Sequence, residues 1–152
     1  MIRVSAYSSR ELLAVLRGLR NLDRETKKQL RGHLRPMVLQ VWQQAVAERA
    51  STKLQRVVLA DTARAKVSDQ NVRLTSAQIG RARSGGLKPS QDWQPVEFGA
   101  GRSTRNAKAF GPPNRSGKVV YPAAASVIPR VLAMYVQTFV RAIHEALEGK
   151  AS

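Results

Sequence analysis

The chain has 152 residues, of which 43% are apolar and 24% are charged, proportions typical of a single globular domain spanning residues 1–152. It carries 26 lysines and arginines against 10 aspartates and glutamates, a net charge of +16, which favours a polyanion or an acidic protein as a partner. The absence of cysteine excludes disulfides, thiolate metal sites and cysteine nucleophiles.

The first third of the chain predicts a short strand followed by two amphipathic helices. Residues 2–7 alternate apolar and polar side chains, a period of two that is typical of a strand. Residues 10–21 place their leucines and Val15 on one helical face. Asp23 is a suitable N-cap for a second helix that reaches about residue 50, with Trp42 on its buried stripe. Pro36 inside this helix predicts a kink.

The middle of the chain predicts a β-hairpin. Residues 51–61 fit either a short helix or a buried strand. Residues 62–67 and 72–75 alternate in polarity around the turn-forming residues 68–71, so they predict two antiparallel strands. In the first of these strands, Arg64 and Lys66 share one face, opposite the face of the apolar residues.

The last part predicts loops, a strand and a long helix. Residues 77–92 and 100–117 are rich in glycine, proline and cations, and they predict two loops around an apolar anchor at residues 93–99. Residues 118–121 predict a strand. Pro122 suits the first position of the final helix, Pro129 predicts a kink or restart, and Gly149 predicts its end.

Together these elements predict an α+β fold. A small antiparallel sheet packs against a kinked N-terminal helix pair and a long C-terminal helix, with two long basic loops. The N-terminus lacks the apolar region of a signal peptide, and no run approaches the roughly 18 apolar residues of a membrane span. We therefore expect a cytoplasmic protein without a membrane partner.

Glu97 is the most distinctive titratable residue, because it is a carboxylate between Val96 and Phe98 in a basic region. Acid–base catalysis would need a second carboxylate or a histidine at a defined separation, and only Asp92 is close in sequence. We expect Glu97 to form an ion pair or to accept backbone hydrogen bonds. The glycine-rich segments lack the Gly-Lys-Ser/Thr ending of a nucleotide-binding loop. The sequence predicts no catalytic residue, metal or cofactor.

Two sets of residues are candidates for contact with partners. The apolar anchor, the basic loop after it and the start of the last helix predict an assembly interface, made of Trp93, Val96, Glu97, Phe98, Gly99, Arg102, Arg105, Lys108, Phe110, Arg115, Tyr121 and Pro122. The cations of the helices and of the first loop form either a partner-binding basic surface or only a solvated face, and they are Arg17, Arg20, Arg24, Lys27, Lys28, Arg31, Arg81, Arg83 and Lys88.

The order of these elements resembles the tail-completion or head-to-tail connector (neck) proteins of long-tailed bacteriophages. The resemblance rests on Val96-Glu97-Phe98-Gly99 and Tyr121-Pro122-Ala123-Ala124, and the organisation matches over nearly the whole chain. Two features depart from the family pattern. One is a basic insertion at residues 78–91, and the other is Val119-Val120-Tyr121-Pro122 in place of an aromatic-leucine-arginine-proline sequence.

The resemblance implies a non-enzymatic structural subunit of the virion, in a hexameric ring between the head connector and the tail. Its partners would be copies of itself, other neck and tail proteins and, nonspecifically, DNA in the channel. It would lie in the virion neck, and in the host cytoplasm during assembly. The alternative is a free-standing basic nucleic-acid-binding protein of the host. A toxin or nuclease would need an acid, base or metal cluster that the sequence does not show.

Overall fold

The computed structural model describes residues 2–5, 17, 22–68, 72–82, 86–101 and 107–151. The strands are β1 (Ile2–Ser5), β2 (Arg64–Val67) and β3 (Val72–Ser76). The helices are α1 (Arg24–Arg49), α2 (Lys53–Gln55), α3 (Pro89–Phe98), α4 (Ala107–Phe110) and α5 (Val120–Ala151), and α2 continues into a π-helical turn at Arg56–Ala60. The predicted mixture of helices with a small antiparallel sheet is confirmed.

Helix α1 begins and ends where the sequence indicates. The Asp23 side chain accepts a hydrogen bond of 2.7 Å from the Thr26 N–H, which satisfies one of the amides that lack a partner at a helix start. The buried stripe includes Leu34, Val38 and Trp42. The helix continues through the exposed Pro36, and the predicted kink there is not confirmed. The predicted preceding helix, residues 10–21, lies outside the described residues except for Arg17.

Within residues 51–61, which fit a helix or a strand, residues 53–60 are helical. Thr52 and Gln55 cap its start reciprocally, because the Gln55 N–H donates to Thr52 Oγ1 over 3.1 Å and the Thr52 N–H donates to Gln55 Oε1 over 3.3 Å. The following π-helical turn joins the sheet through Ser76, whose hydroxyl donates to the Leu59 carbonyl over 2.7 Å. The reciprocal cap formed by Thr52 and Gln55 therefore favours the helix over the strand for this segment.

The sheet has the order β1-β3-β2, with both pairings antiparallel. The predicted hairpin is confirmed, and Val67 lies opposite Val72, as a four-residue connection requires. The long helices supply the core against this sheet. Trp42 of α1 donates from its indole N–H to the Thr75 carbonyl over 3.0 Å, and the Tyr135 hydroxyl of α5 donates to the Ser68 carbonyl over 2.9 Å.

The C-terminal half differs from the sequence-based prediction in several places. Residues 93–98 of the anchor belong to helix α3, which begins inside the first predicted loop and is capped by Gly99. The second predicted loop contains the short helix α4. The strand predicted at residues 118–121 is wrong, because α5 begins at Val120. Pro122 is therefore in the first turn rather than at the first position. Helix α5 continues through Pro129 and past Gly149 to Ala151.

Candidate assembly site

The Glu97 carboxylate binds the first backbone amides of helix α5. Glu97 is fully buried at the end of α3. Its Oε2 accepts from the Val120 N–H over 2.9 Å, its Oε1 accepts from the Tyr121 N–H over 3.0 Å, and the Val119 N–H lies 3.2 and 3.3 Å from the two oxygens. The Lys118 N–H donates to the Glu97 carbonyl over 2.9 Å. One residue thus provides acceptors for four consecutive amides.

This arrangement caps α5 from a distant part of the chain. The first amides of any helix lack acceptors within the helix, and its N-terminus carries a partial positive charge. Helix α5 has no acidic residue in its own first turn. Glu97, more than twenty residues upstream, supplies the negative charge and the acceptors instead. The expected backbone hydrogen bonds of Glu97 are confirmed, and they bind the start of the last helix.

Two glycines permit this close approach. Gly117 has a φ of +86°, and a Cβ atom at that position would overlap Glu97 Oε1. Gly99 ends α3 with a φ of +77°, and a Cβ atom there would overlap the Pro112 carbonyl oxygen. Only glycine adopts such backbone angles at little cost. The glycine of the Val-Glu-Phe-Gly motif is therefore required by the turn that follows α3.

The loop after α4 is bound to α3 by backbone hydrogen bonds. The Asn114 N–H donates to the Phe98 carbonyl over 2.7 Å, and the Ala100 N–H donates to the Gly111 carbonyl over 3.2 Å. The Lys118 ammonium donates to the Phe110 carbonyl over 2.8 Å. A cavity of about 270 Å³ lies beside this contact, lined in part by Gln55, Phe110 and Lys118. The end of α3, this loop and the start of α5 thus form one connected unit.

Three aromatic side chains lie on this unit, and we call Trp93, Phe98 and Tyr121 the aromatic patch. The ring centroids of Trp93 and Phe98 are 6.1 Å apart, and those of Phe98 and Tyr121 are 5.5 Å apart. Tyr121 is 38% exposed, and Trp93 and Phe98 are half-buried. Tilted aromatic pairs at these distances stabilise one another.

The residues predicted for assembly divide into buried and accessible ones. Val96 and Glu97 are buried, so their contacts lie within the chain. Phe110 and Pro122 are half-buried, and Arg115 is exposed. Arg102 and Arg105 lie outside the described residues. Lys108 belongs to α4, but its side chain is not among the described ones. Among the residues that the structure describes, the accessible part of the predicted interface consists of the aromatic patch with Phe110, Arg115 and Pro122.

The predicted basic surface is spread over several elements. Four of its cations are exposed on the helical front and in the first loop, at Arg17, Arg24, Lys28 and Arg81. Lys88 is exposed before α3, whereas Lys27 and Arg31 are half-buried in α1. Arg20 and Arg83 lie outside the described residues.

Three further cations, Arg64, Lys66 and Arg73, lie on the sheet and belong to neither predicted set of partner-binding residues. Lys66 of β2 lies directly opposite Arg73 of β3, and Arg64 lies two residues before Lys66. The signal was present in the predicted hairpin, because a connection formed by residues 68–71 places residue 66 opposite residue 73.

Within the described part of the chain, no group of three or more histidine, aspartate or glutamate side chains could hold a metal ion. His33 and His144 are both exposed. Comparison with protein families, with curated proteins and with solved structures finds no match for this chain.

Helix α5 has the length and apolar composition of a membrane span over the 26 residues Val120–Glu145, where the most apolar stretch has a mean hydropathy of 1.4. One third of its most apolar stretch, 33%, is buried inside the domain, including Val131, Tyr135 and Phe139. Core helices of globular domains often have this length and composition, so these two properties do not assign α5 to a membrane. The absence of a membrane partner stays a prediction.

Proposed function

We propose that this chain is a structural virion protein of the phage neck, a tail-completion subunit that joins the head connector to the tail in a hexameric ring. The observation that carries the proposal is the junction of the two motifs on which the resemblance rests. Glu97 of the first motif accepts a hydrogen bond from the amide of Tyr121 in the second, and their aromatic side chains Phe98 and Tyr121 pack together. A kinked N-terminal helix pair and two basic loops remain predictions for this subunit.

The aromatic patch is the part of this junction that suits contact with a neighbouring subunit. Tryptophan and tyrosine are enriched among the residues that contribute most to protein–protein binding. The backbone amide of Tyr121 donates to Glu97, and the rings of Trp93 and Phe98 pack beside it, so little freedom is lost when a partner binds. The exposed Lys88 and Arg115 occur in the segments before α3 and before α5, where they favour docking of acidic neighbours.

The location that follows is the virion neck, with passage through the host cytoplasm during assembly. The proposed role needs no catalytic step, cofactor or membrane, and DNA in the channel is at most a nonspecific contact. The alternative, a free-standing nucleic-acid-binding protein of the host, is favoured by the cations of the sheet. It predicts a monomer or dimer that is absent from particles.

The test combines particle composition with a matched pair of variants. Intact particles are separated from soluble lysate, and mass spectrometry is expected to find this chain at a fixed, low copy number. Tyr121→Ala is expected to lower incorporation at least tenfold with unchanged circular dichroism. Met37→Ala, which truncates a side chain that is 42% exposed on α1, is the control and is expected to be incorporated normally. Absence of the chain from particles contradicts the proposal and favours the alternative.

A further inference from the structure

The hairpin places three cations on one face of the sheet, and we call Arg64, Lys66 and Arg73 the basic sheet face. Lys66 and Arg73 are directly opposed across β2 and β3, and Arg64 shares their face because side chains two residues apart point to the same side. Arg64 and Lys66 are exposed, and Arg73 is half-buried. The other face of these strands contributes Ala65, Val72 and Leu74 to the core.

This pairing is unfavourable for the isolated domain. Like charges directly opposite one another destabilise an antiparallel pair. No described carboxylate forms an ion pair with any of the three cations. Elsewhere the chain does compensate an exposed cation, because Arg141 and Glu145 of α5 form an ion pair of 3.4 Å. Solubility alone does not require two cations to be opposed in this way, so the arrangement points to a bound anion.

We infer that the basic sheet face binds the phosphate backbone of duplex nucleic acid. Opposed side chains on neighbouring strands lie about 5 Å apart and alternate residues along a strand about 7 Å apart, so the three cations form a compact group that meets several phosphates. Interfaces with nucleic acid are polar and strongly positive. Cores of protein–protein interfaces are enriched in aromatic residues and depleted in lysine, and the residues of β2 and β3 that the structure describes on this face include no aromatic side chain. Duplex nucleic acid is therefore favoured over an acidic protein.

The contact is made to phosphates rather than to bases, so it is independent of sequence. Lys66 and Arg73 carry most of it. Arg64 uses Nη1 to donate to the Asp61 and Ala63 carbonyls, over 3.2 and 2.8 Å, and the other guanidinium N–H groups remain for a phosphate. The inference does not depend on the neck role, because it follows from the sheet register and charge alone.

The test measures the salt dependence of binding to a 30-base-pair DNA duplex. Each phosphate contact contributes about 0.9 to the slope of log K against log salt concentration. The double variant Lys66→Gln with Arg73→Gln, in the full chain, is therefore expected to make the slope shallower by about 1.8 between 50 and 200 mM salt. Its melting temperature is expected to equal or exceed that of the wild type, because the opposed charges are gone.

The matched control removes one lysine and one arginine elsewhere. Lys53→Gln with Arg130→Gln changes two exposed helical residues and is expected to alter the slope by less than half as much. Equal slopes for the two double variants would overturn the inference, since net charge alone would then explain binding. The inference would also be overturned if the Lys66→Gln, Arg73→Gln variant lost binding to polyglutamate but bound the duplex as the wild type does. That result would assign the face to an acidic protein. Incorporation into particles is measured in a separate experiment, so a negative result for duplex binding does not contradict the proposed role in the phage neck.

Discussion

The unit around Glu97 and the basic sheet face differ in how their polar groups are satisfied. At the first, one buried carboxylate and its carbonyl accept hydrogen bonds from four successive amides. At the second, Lys66 and Arg73 are opposed, with no described carboxylate paired to them. The satisfied network fixes the start of α5, which carries Tyr121 of the aromatic patch, whereas two opposed cations cost stability unless an anion binds. Departures of this kind from local consistency are expected at functional surfaces.

The largest effect is expected from Glu97→Ala. The substitution removes the acceptors of buried amides at the start of α5, and each unsatisfied buried group costs about 1–3 kcal/mol. We expect the free energy of unfolding to fall by about 3 kcal/mol or more in urea denaturation. Glu48→Ala removes an exposed carboxylate that accepts only from Gln44, and it is expected to change stability by less than about 0.5 kcal/mol. Similar losses in the two variants would show that the Glu97 network contributes little.

Two glycine substitutions test the turn after α3 and are expected to have opposite signs. Gly99→Ala forces a rarely allowed backbone conformation and an overlap with the Pro112 carbonyl, so we expect a loss of about 2 kcal/mol. Gly32 lies in the interior of α1, and a Cβ atom there meets nothing within 4 Å. Gly32→Ala is therefore expected to stabilise the protein by about 0.5–1 kcal/mol. Thermal unfolding of both variants checks the pair, and stabilisation by both would contradict the structure of the turn.

Local patterns were sufficient to predict α1 and the hairpin, because their signals lie within a few residues. Asp23 and the apolar stripe define α1, and the turn residues between two alternating segments define the strands. The start of α5 was misassigned because valine and tyrosine at residues 119–121 favour a strand. Their amides are instead bound by Glu97, a contact across more than twenty residues that no local pattern indicates. The sequence predicts that Glu97 accepts backbone hydrogen bonds, but not that the donors are the first amides of α5.

A smaller effect is expected from reversing one charge of the basic sheet face. Lys66→Glu places opposite charges across β2 and β3, so we expect the free energy of unfolding to rise by about 0.2–1 kcal/mol while affinity for duplex DNA falls. Arg130→Glu, an exposed charge reversal in the interior of α5, is expected to leave stability nearly unchanged. Chemical denaturation and duplex titration are measured on the same samples. A less stable Lys66→Glu variant would argue against uncompensated repulsion at this face.

The smallest effect concerns acid stability at the start of α1. The hydrogen bond from Thr26 lowers the pKa of Asp23 below its ordinary value of 3.8. A depressed pKa in the folded state contributes stability above the ordinary pKa, and this contribution is lost as pH falls through the folded pKa. Asp23→Asn keeps a capping side chain but does not titrate. We therefore expect its melting temperature to be slightly below that of the wild type at pH 7 and to approach it as pH falls below 3.8. Melting curves from pH 2 to pH 7 test this, and a constant difference over the whole range would show that the charge of Asp23 does not contribute to the cap.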